Sequence, residues 1–386
     1  MINVKDFKTA TVMMDADNVL PDGYWPMGID YGFSSTVGFG PNHDFSFPSF
    51  AKELNANFII EVNEPEDIQY KDENGNVWAV GQYAQNMAKQ SDVSDTLVTT
   101  CGRNRYNTPM FKVLIRTGLA LAMKEKSDRT LDSRIPMLVT GLPALYVKED
   151  SIKLKKSISG EHEFDIKIGN GPWTHYSFKI LTENIIVIPQ PISALFSSIC
   201  KKDGNFIENA DKILTSNTLI FDGGHGTFDA ALISLNQIEP EYMYTDEKFG
   251  MKIVLSKTID KIHKKSGVYY PPQAFQKCLS DGYYIEFDED TLASTPVPFD
   301  DILEESSKEV CMAMLKKSKE IYNSFRDIDN IILAGGTCAA WENYIRDFLK
   351  AKEDTMVISS NENESLPMYF SIARGYYMYL LQKLKG

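Results

Sequence analysis

Two short segments of the chain have the composition of phosphate-binding turns. Residues 29–36 read Ile-Asp-Tyr-Gly-Phe-Ser-Ser-Thr, and residues 222–229 read Asp-Gly-Gly-His-Gly-Thr-Phe-Asp. In each, an apolar strand leads to an aspartate and a turn of glycine and hydroxyl residues. Glycine lets backbone N–H groups approach phosphate oxygens closely, and Ser and Thr hydroxyls add donors. Two such hairpins that face each other can hold one nucleotide from both sides.

The aspartates Asp30 and Asp222 stand where a hydrated Mg²⁺ ion bridging the phosphates would need carboxylates, because Mg²⁺ keeps several of its waters. The other candidate nucleotide-binding residues of the two turns are Gly32, Ser34, Ser35, Thr36, Gly224, His225, Gly226 and Thr227. Either turn alone is more typical of an ordinary structural turn. Their occurrence as a pair favours a nucleotide site.

A third candidate element is the run Gly335-Gly336-Thr337, which lies between a predicted buried strand and a predicted helix. Such a run leaves a smooth backbone surface and a helix N-terminus, which suit a nucleoside and its phosphates. Taken alone, the pattern is equally compatible with an ordinary strand-to-helix turn.

A fourth candidate is Gln190, which lies between Pro189 and Pro191 at the predicted start of a helix. A side chain held in this way could position a water in line with a terminal phosphate. It cannot act as a general base, because an amide does not titrate. A helix-capping or solvent-facing glutamine is the alternative interpretation.

The elements that would position these residues alternate between strands and helices. A proline after Thr108 predicts a helix from position 109, and alternating runs around residues 169–171 predict a hairpin over 162–180. Further strands are predicted at 135–140, 184–188, 219–221, 230–235, 330–334 and 355–359, and helices at 191–200, 250–265, 298–325, 338–349 and 367–384. This alternation predicts two α/β domains. Residues 1–26 carry at most one strand, over 9–14, and no assigned function.

Composition narrows the class of protein. The chain has 386 residues, 43% of them hydrophobic, which favours two domains over one. Its formal net charge of -13, without a Lys/Arg-rich block, argues against direct nucleic-acid binding. Five scattered cysteines without metal-ligand spacing indicate buried thiols in a reducing compartment. No apolar run is long enough for a signal peptide or a membrane span, so we expect a cytoplasmic protein without membrane contact.

In their order along the chain, the four elements resemble the motifs of the actin, DnaK-type chaperone and sugar-kinase superfamily. Residues 222–229 are similar to its second phosphate motif and are the most specific match. Residues 28–36 resemble the first phosphate motif, Gln190-Pro191 the first connecting helix, and residues 333–337 the adenosine motif. Residues 140–143 (Thr-Gly-Leu-Pro) and 371–377 (Ser-Ile-Ala-Arg-Gly-Tyr-Tyr) look like motifs of the bacterial ParM-type plasmid-segregation actins.

This resemblance implies an α/β, actin-like (ribonuclease-H-like) fold with a nucleotide cleft between two domains. Domain I would comprise residues 1–212 plus 367–386, and domain II residues 213–366. The implied cofactors are ATP or GTP and Mg²⁺, with Asp30 and Asp222 holding the metal through water and Gln190 positioning the attacking water. The implied activity is an ATPase, possibly also a GTPase, coupled to polymerisation into filaments that move plasmids through a ParR-like DNA-binding adaptor.

The sequence departs from the family pattern in three places. No lysine lies in residues 28–40, where actin and ParM place a phosphate-binding lysine. His225 and Gly223 replace a glycine and an aliphatic residue in the second motif. Gln190 stands where ParM carries glutamate, although actin uses glutamine, so hydrolysis is still expected.

Two alternatives remain open. The first is a small-molecule kinase with the same fold, which needs a general-base aspartate in the cleft; the only candidate is Asp229, whose place in the second phosphate motif already explains it. The second is a cytoskeletal actin homologue not tied to plasmids. A chaperone is not expected, since no peptide-binding segment follows the last predicted helix.

Overall fold

The computed structural model describes residues 2–54, 64–88, 103–288 and 290–385. Cys101 lies outside these ranges; the other four cysteines, Cys200, Cys278, Cys311 and Cys338, are buried free thiols, as predicted.

The first sheet carries the first candidate phosphate turn, between its second and third strands. It has six strands in the order β1-β4-β3-β2-β8-β11. They are β1 Val12–Asp15, β2 Tyr24–Tyr31, β3 Ser35–Phe39, β4 His43–Pro48, β8 Ile135–Leu142 and β11 Ile185–Pro189. The first four are antiparallel where they pair with one another, with β1 paired to β4, and β8 and β11 continue the sheet in parallel with β2.

The second candidate turn lies in a sheet of similar design, of order β14-β13-β12-β18-β19 with β15 paired to β13. Its strands are β12 Thr218–Gly223, β13 Phe228–Ser234, β14 Gln237–Ile238, β15 Tyr244–Asp246, β18 Asn330–Ala334 and β19 Met356–Ser359. Here too an antiparallel hairpin, β12-β13, is followed by two strands parallel to its first strand. The repeated motif in the sequence is therefore part of a repeated sheet topology.

Two smaller sheets flank the main ones. An antiparallel sheet of order β10-β9-β6-β7-β5 contains the predicted hairpin. Its strands are β5 Ala51–Glu53, β6 Ile68–Lys71, β7 Val77–Val80, β9 Gly160–Ile168 and β10 Thr174–Ile180. A separate hairpin pairs β16 Tyr283–Phe287 with β17 Ser294–Pro298.

Ten α-helices occur in the described residues: α1 Gln82–Asn86, α2 Pro109–Ala122, α3 Val147–Ile158, α4 Gln190–Ile199, α5 Ala210–Thr215, α6 Met251–Ser266, α7 Pro272–Asp281, α8 Asp300–Ile321, α9 Gly335–Leu349 and α10 Ser371–Leu384. The predicted start of α2 is confirmed, with the Thr108 side chain accepting a hydrogen bond from the Phe111 amide. The helix predicted over 298–325 is shorter, and α10 begins after a 3-10 turn, Met368–Phe370. The strand predicted at 9–14 is shifted to β1.

Helices α4 and α10 lie between the two six-stranded sheets and share an apolar core with both. This core joins Ala194 and Tyr376 of the helices to Val139 of the first sheet and Ile332 of the second. The helices approach closely at Gly375, where a Cβ atom would overlap the backbone of Ser193. Two further apolar cores fill the first and second halves of the chain. The returning C-terminal helix is thus packed against α4, as expected of a second connecting helix.

Candidate functional site

A cavity lies where the two phosphate-type hairpins, the start of α4 and the start of α9 meet. Thirteen of the fourteen predicted site residues line it: Asp30, Gly32, Ser34, Ser35, Gln190, Asp222, Gly224, His225, Gly226, Thr227, Gly335, Gly336 and Thr337. These residues come from four separate parts of the sequence. The fold therefore brings the predicted elements into one site.

Thr36 is the exception, and its predicted role as a binding residue is corrected. Its side chain is fully buried, and its hydroxyl lies 3.1 Å from the Ser49 hydroxyl. Strand β3 begins at Ser35, and successive side chains of a strand point to opposite faces. Ser35 and Val37 consequently line the cavity while Thr36 faces away.

The tips of the two hairpins touch each other. A Cβ atom on Gly226, in the second turn, would overlap the ring of Phe33 in the first. In the first turn, a Cβ on Gly32 would lie 2.6 Å from the backbone oxygen of Ser35. Glycine is thus required for close packing at both tips, and the backbone N–H groups stay accessible to a ligand.

Asp30 and Asp222 stand at the strand ends and face the same cavity. The Asp30 carboxylate accepts a hydrogen bond from Gln190 Nε2 over 3.1 Å, and burial raises its pKa to about 6. Burial, together with the charges of Asp229 and Asp30, raises the pKa of Asp222 well above its usual range. A cation would relieve this repulsion. Among the described residues no group of three or more His, Cys, Asp or Glu side chains could hold a metal ion, so a metal here would need water and phosphate ligands.

The Asp229 side chain does not line the cavity. Its carboxylate accepts hydrogen bonds from the Thr227 hydroxyl at 2.8 Å, the Thr245 hydroxyl and the Ala144 amide at 2.9 Å, and it is 1% exposed. Ala144 follows the Thr-Gly-Leu-Pro segment in the first half of the chain. Asp229 therefore fastens the second hairpin to that segment and is not placed to act on a substrate.

The Gly-Gly run forms the first turn of α9 against the second hairpin. Gly335 has a φ of 80°, and a Cβ there would overlap the backbone oxygen of Gly223. Gly223, which replaces the usual aliphatic residue, lets the strand approach α9. A Cβ atom added at this position would lie 2.8 Å from the Cys338 amide nitrogen. The Thr337 hydroxyl donates to the Gly224 carbonyl over 2.8 Å. No side chain caps α9, so no side chain satisfies the N–H groups of its first turn.

His225 lines the cavity but carries no charge at neutral pH. Burial, with a contribution from Lys252, lowers its pKa to about 4. Its backbone oxygen accepts a hydrogen bond from the Lys252 amide at 2.9 Å, which anchors the start of α6. A neutral imidazole could contribute a hydrogen bond to a ligand but no positive charge.

Arg105 is a cavity residue that the sequence analysis missed. It is 8% exposed, donates to the backbone oxygen of Tyr31 and, at 3.2 Å, to that of Gly32, and lies 4.5 Å from the centre of the Phe33 ring. Its guanidinium thus fixes the first phosphate-type turn and brings a positive charge beside Asp30. No sequence pattern marked it, because it lies outside every motif and reaches the turn only through the tertiary fold.

The residues present fit a Mg²⁺-nucleotide. The carboxylates of Asp30 and Asp222, two glycine turns that offer backbone N–H groups, and a helix start without a side-chain cap face one cavity. This donor set suits phosphate oxygens and a hydrated cation. Arg105 supplies a positive charge despite the absence of a lysine from residues 28–40.

Comparison with known proteins agrees with this architecture. Residues 28–192 match the family model described as the N-terminal domain of actin-like proteins. The structure resembles a non-polymerisable mutant of pCBH ParM and a 15-stranded ParM filament from Clostridium botulinum, with TM-scores of 0.70 and 0.68. In both cases the identity is 20%, and the match covers 93% of this chain and 99% of the other.

An ADP complex of Ta0583, an archaeal actin homologue, is also similar, with a TM-score of 0.61 and 15% identity over 93% of this chain and 99% of the other. A search of curated protein sequences finds no match. The family and structural matches show that the chain has an actin-like fold. The predicted resemblance to the ParM-type members of the actin superfamily is confirmed. No helix in the described part of the chain is long and apolar enough to cross a membrane.

Proposed function

We propose that this protein is an actin-like ATPase whose Mg²⁺-nucleotide cycle drives filament assembly and plasmid segregation through a DNA-binding adaptor. The observation that supports this most is the convergence of both aspartate-bearing hairpins, Gln190 and the start of α9 on one cavity. A bound Mg²⁺-nucleotide would supply the phosphoryl group to be hydrolysed. Asp30 and Asp222 would hold the metal through water, and the backbone N–H groups of the two turns would bind phosphate oxygens.

Gln190 would be the water-positioning residue, and its hydrogen bond to Asp30 supports this role. One N–H of its amide is engaged by Asp30, which fixes the side chain and leaves its oxygen and second N–H for a water molecule. Its position at the first turn of α4, after Pro189, adds rigidity. Gln190 would therefore orient the water without taking its proton.

The two halves of the chain are linked by hydrogen bonds behind the second hairpin, which offer a route from nucleotide state to assembly. Ala144 donates to Asp229, and Tyr146 donates to Glu247 over 2.9 Å. Contacts that differ between the triphosphate and diphosphate states would shift the relative position of the halves. A filament would then be stabilised by one state and weakened by the other.

The kinase alternative is not favoured, because Asp229 accepts three hydrogen bonds and does not line the cavity. The formal net charge of -13 supports the use of a separate DNA-binding adaptor rather than direct DNA contact. A cytoskeletal actin homologue, the other alternative, would differ from the proposed protein in lacking the DNA-binding adaptor as a partner.

Light scattering and pelleting with Mg²⁺ and ATP, GTP or a non-hydrolysable analogue test the proposal. We expect nucleotide-dependent polymer that is lost in Asp222→Ala and kept in the control Asp211→Ala, an exposed residue on α5. A protein that binds nucleotide but stays monomeric in every condition would overturn the filament assignment. Deletion of the gene separates the two roles: plasmid loss would support segregation, and altered cell shape would support a cytoskeletal role.

A further inference from the structure

The N-terminal residues 2–10, here named the strap, lie across the candidate nucleotide cavity. Asp6, Phe7, Lys8 and Ala10 of the strap line it together with the phosphate-type turns. The strap backbone rests on the start of α9, where a Cβ atom on Gly336 would overlap the backbone oxygen of Asp6. The strap therefore covers the Gly-Gly surface that would otherwise face a nucleoside.

One end of the strap is anchored on the second half of the chain. The Ile2 amide donates to the Glu304 carboxylate on α8. Val4 and Phe7 pack against the apolar core that contains Trp341 of α9. These contacts hold the strap beside α8 and α9.

The other end reaches the first half of the chain. The Thr9 hydroxyl lies 3.2 Å from Gln85 Oε1 on α1 and 3.3 Å from Gln276 Oε1 on α7, so it bridges the two halves. The Ser46 hydroxyl on β4 donates to the Ala10 carbonyl over 3.1 Å. Beyond this point the chain enters β1, which pairs with β4.

With the strap in place the cavity is too small for a nucleotide. Its free volume is about 100 Å³, whereas pockets for small molecules usually have roughly 300–1,000 Å³. The strap is held by the hydrogen bonds of Ile2, Thr9 and Ala10 and by the packing of Val4 and Phe7, whereas Asn3 and Lys5 are exposed. A short segment held mainly by such side-chain contacts opens at a lower cost than the hydrogen-bonded sheets.

We propose that the strap is an autoinhibitory gate: it competes with the nucleotide for the base side of the cleft and must leave before a nucleotide can bind. The inference rests on the proposed nucleotide site. Because strap and nucleotide exclude each other, the nucleotide association rate scales with the fraction of molecules whose strap is open. Contacts of the strap with both halves also couple its release to their relative movement.

The first experiment loosens the strap in the full chain. Stopped-flow binding of a fluorescent N-methylanthraniloyl-ATP is compared between the wild type, Phe7→Ala/Thr9→Val, and Phe206→Ala/Thr174→Val, a control that removes the same groups at exposed positions. We expect nucleotide to associate about tenfold faster with the loosened variant. This is the change expected if the fraction of molecules with an open strap rises from roughly one tenth to nearly one. Rates in the loosened variant that equal those of the control, or weaker binding there, would overturn the gate.

The second experiment locks the strap. In Thr9→Cys/Gln276→Cys, a short bismaleimide joins the two side chains, and the same variant without reagent is the control. We expect cross-linking to abolish nucleotide binding, and unchanged binding after complete cross-linking would overturn the gate. If neither the wild type nor the loosened variant bound any nucleotide, both the proposed nucleotide site and the gate would be wrong. If nucleotide bound equally well with the strap loosened or cross-linked, only the gate would be wrong.

Discussion

Gln190 Nε2 donates a hydrogen bond to Asp30 Oδ1 over 3.1 Å and thereby joins the start of α4 to the end of β2. These two residues lie far apart in the sequence, and the connecting helix and the first phosphate-type hairpin meet through them. The contact orients the amide and lowers the cost of a buried carboxylate, since hydrogen bonding favours the charged form. It is the contact on which the proposed hydrolysis depends.

Gln190→Ala is expected to slow nucleotide hydrolysis by about 10- to 100-fold, because loss of positioning has effects of that size, while nucleotide affinity changes little. Phosphate release under single-turnover conditions measures hydrolysis, and equilibrium titration measures affinity. Polymer should persist longer in this variant. Hydrolysis at the wild-type rate would remove Gln190 from the mechanism.

Asp222→Asn is expected to raise the melting temperature of the nucleotide-free protein by roughly 2–4 °C at pH 8, as a stabilisation of about 1 kcal/mol would do. The substitution removes a buried carboxyl group whose charged form is disfavoured by burial and by the neighbouring Asp229 and Asp30. The same change should abolish Mg²⁺-dependent nucleotide binding. Differential scanning fluorimetry with and without Mg²⁺-ATP measures both effects.

The matched control for this prediction is Asp211→Asn, which neutralises an exposed carboxylate on α5. It should leave both the melting temperature and the nucleotide response unchanged. A destabilised Asp222→Asn protein that still responds to Mg²⁺-ATP would contradict the role given to this carboxylate.

Arg105→Lys is expected to weaken nucleotide binding about tenfold, because a lysine cannot reproduce the planar fork with which arginine donates to two acceptors. Here the acceptors are the backbone oxygens of Tyr31 and Gly32, which set the first turn. Arg326→Lys, at an exposed position, is the control. Equal affinities of the two variants in a fluorescence titration would show that the turn does not depend on Arg105.

Asp44 gives a prediction about pH. Burial raises its pKa to about 7, although Asn18 Nδ2 donates to it over 2.7 Å. A carboxyl whose folded pKa lies above its unfolded value binds more protons in the folded state. Its contribution to stability is therefore complete below the unfolded pKa, about 4, and is lost as the pH rises through the folded pKa, about 7.

Asp44→Asn should consequently raise the midpoint of urea unfolding at pH 8 and have little effect at pH 4, since the amide keeps an acceptor for Asn18. Urea titrations of the nucleotide-free protein at the two pH values measure the difference. The same gain at both pH values would mean that titration of Asp44 is not its cause.

Much of the site could be predicted because its residues follow local patterns. The turns at Asp30 and Asp222 and the Gly335-Gly336 run come directly after buried strands, and glycine and hydroxyl residues mark such turns without knowledge of the fold. The strand-helix alternation predicted the α/β class of the fold for the same reason.

The remaining features depend on contacts between distant segments. Thr36 was assigned to the site because its neighbours belong there, but the register of β3 turns it away. Arg105 reaches the first turn from outside any motif. The strap shows no apolar periodicity, because beyond the 3-10 turn Val4–Asp6 its position is set by contacts with α8, α9 and α7.

Cryo-electron microscopy of polymer assembled with Mg²⁺ and a non-hydrolysable ATP analogue tests the central claim most directly. The account predicts filaments of this protein in which every subunit holds the analogue between the hairpins of Asp30 and Asp222, beside Gln190, with residues 2–10 withdrawn from Gly336. Filaments that assemble without nucleotide in this cleft, or a protein that binds the analogue elsewhere, would contradict it.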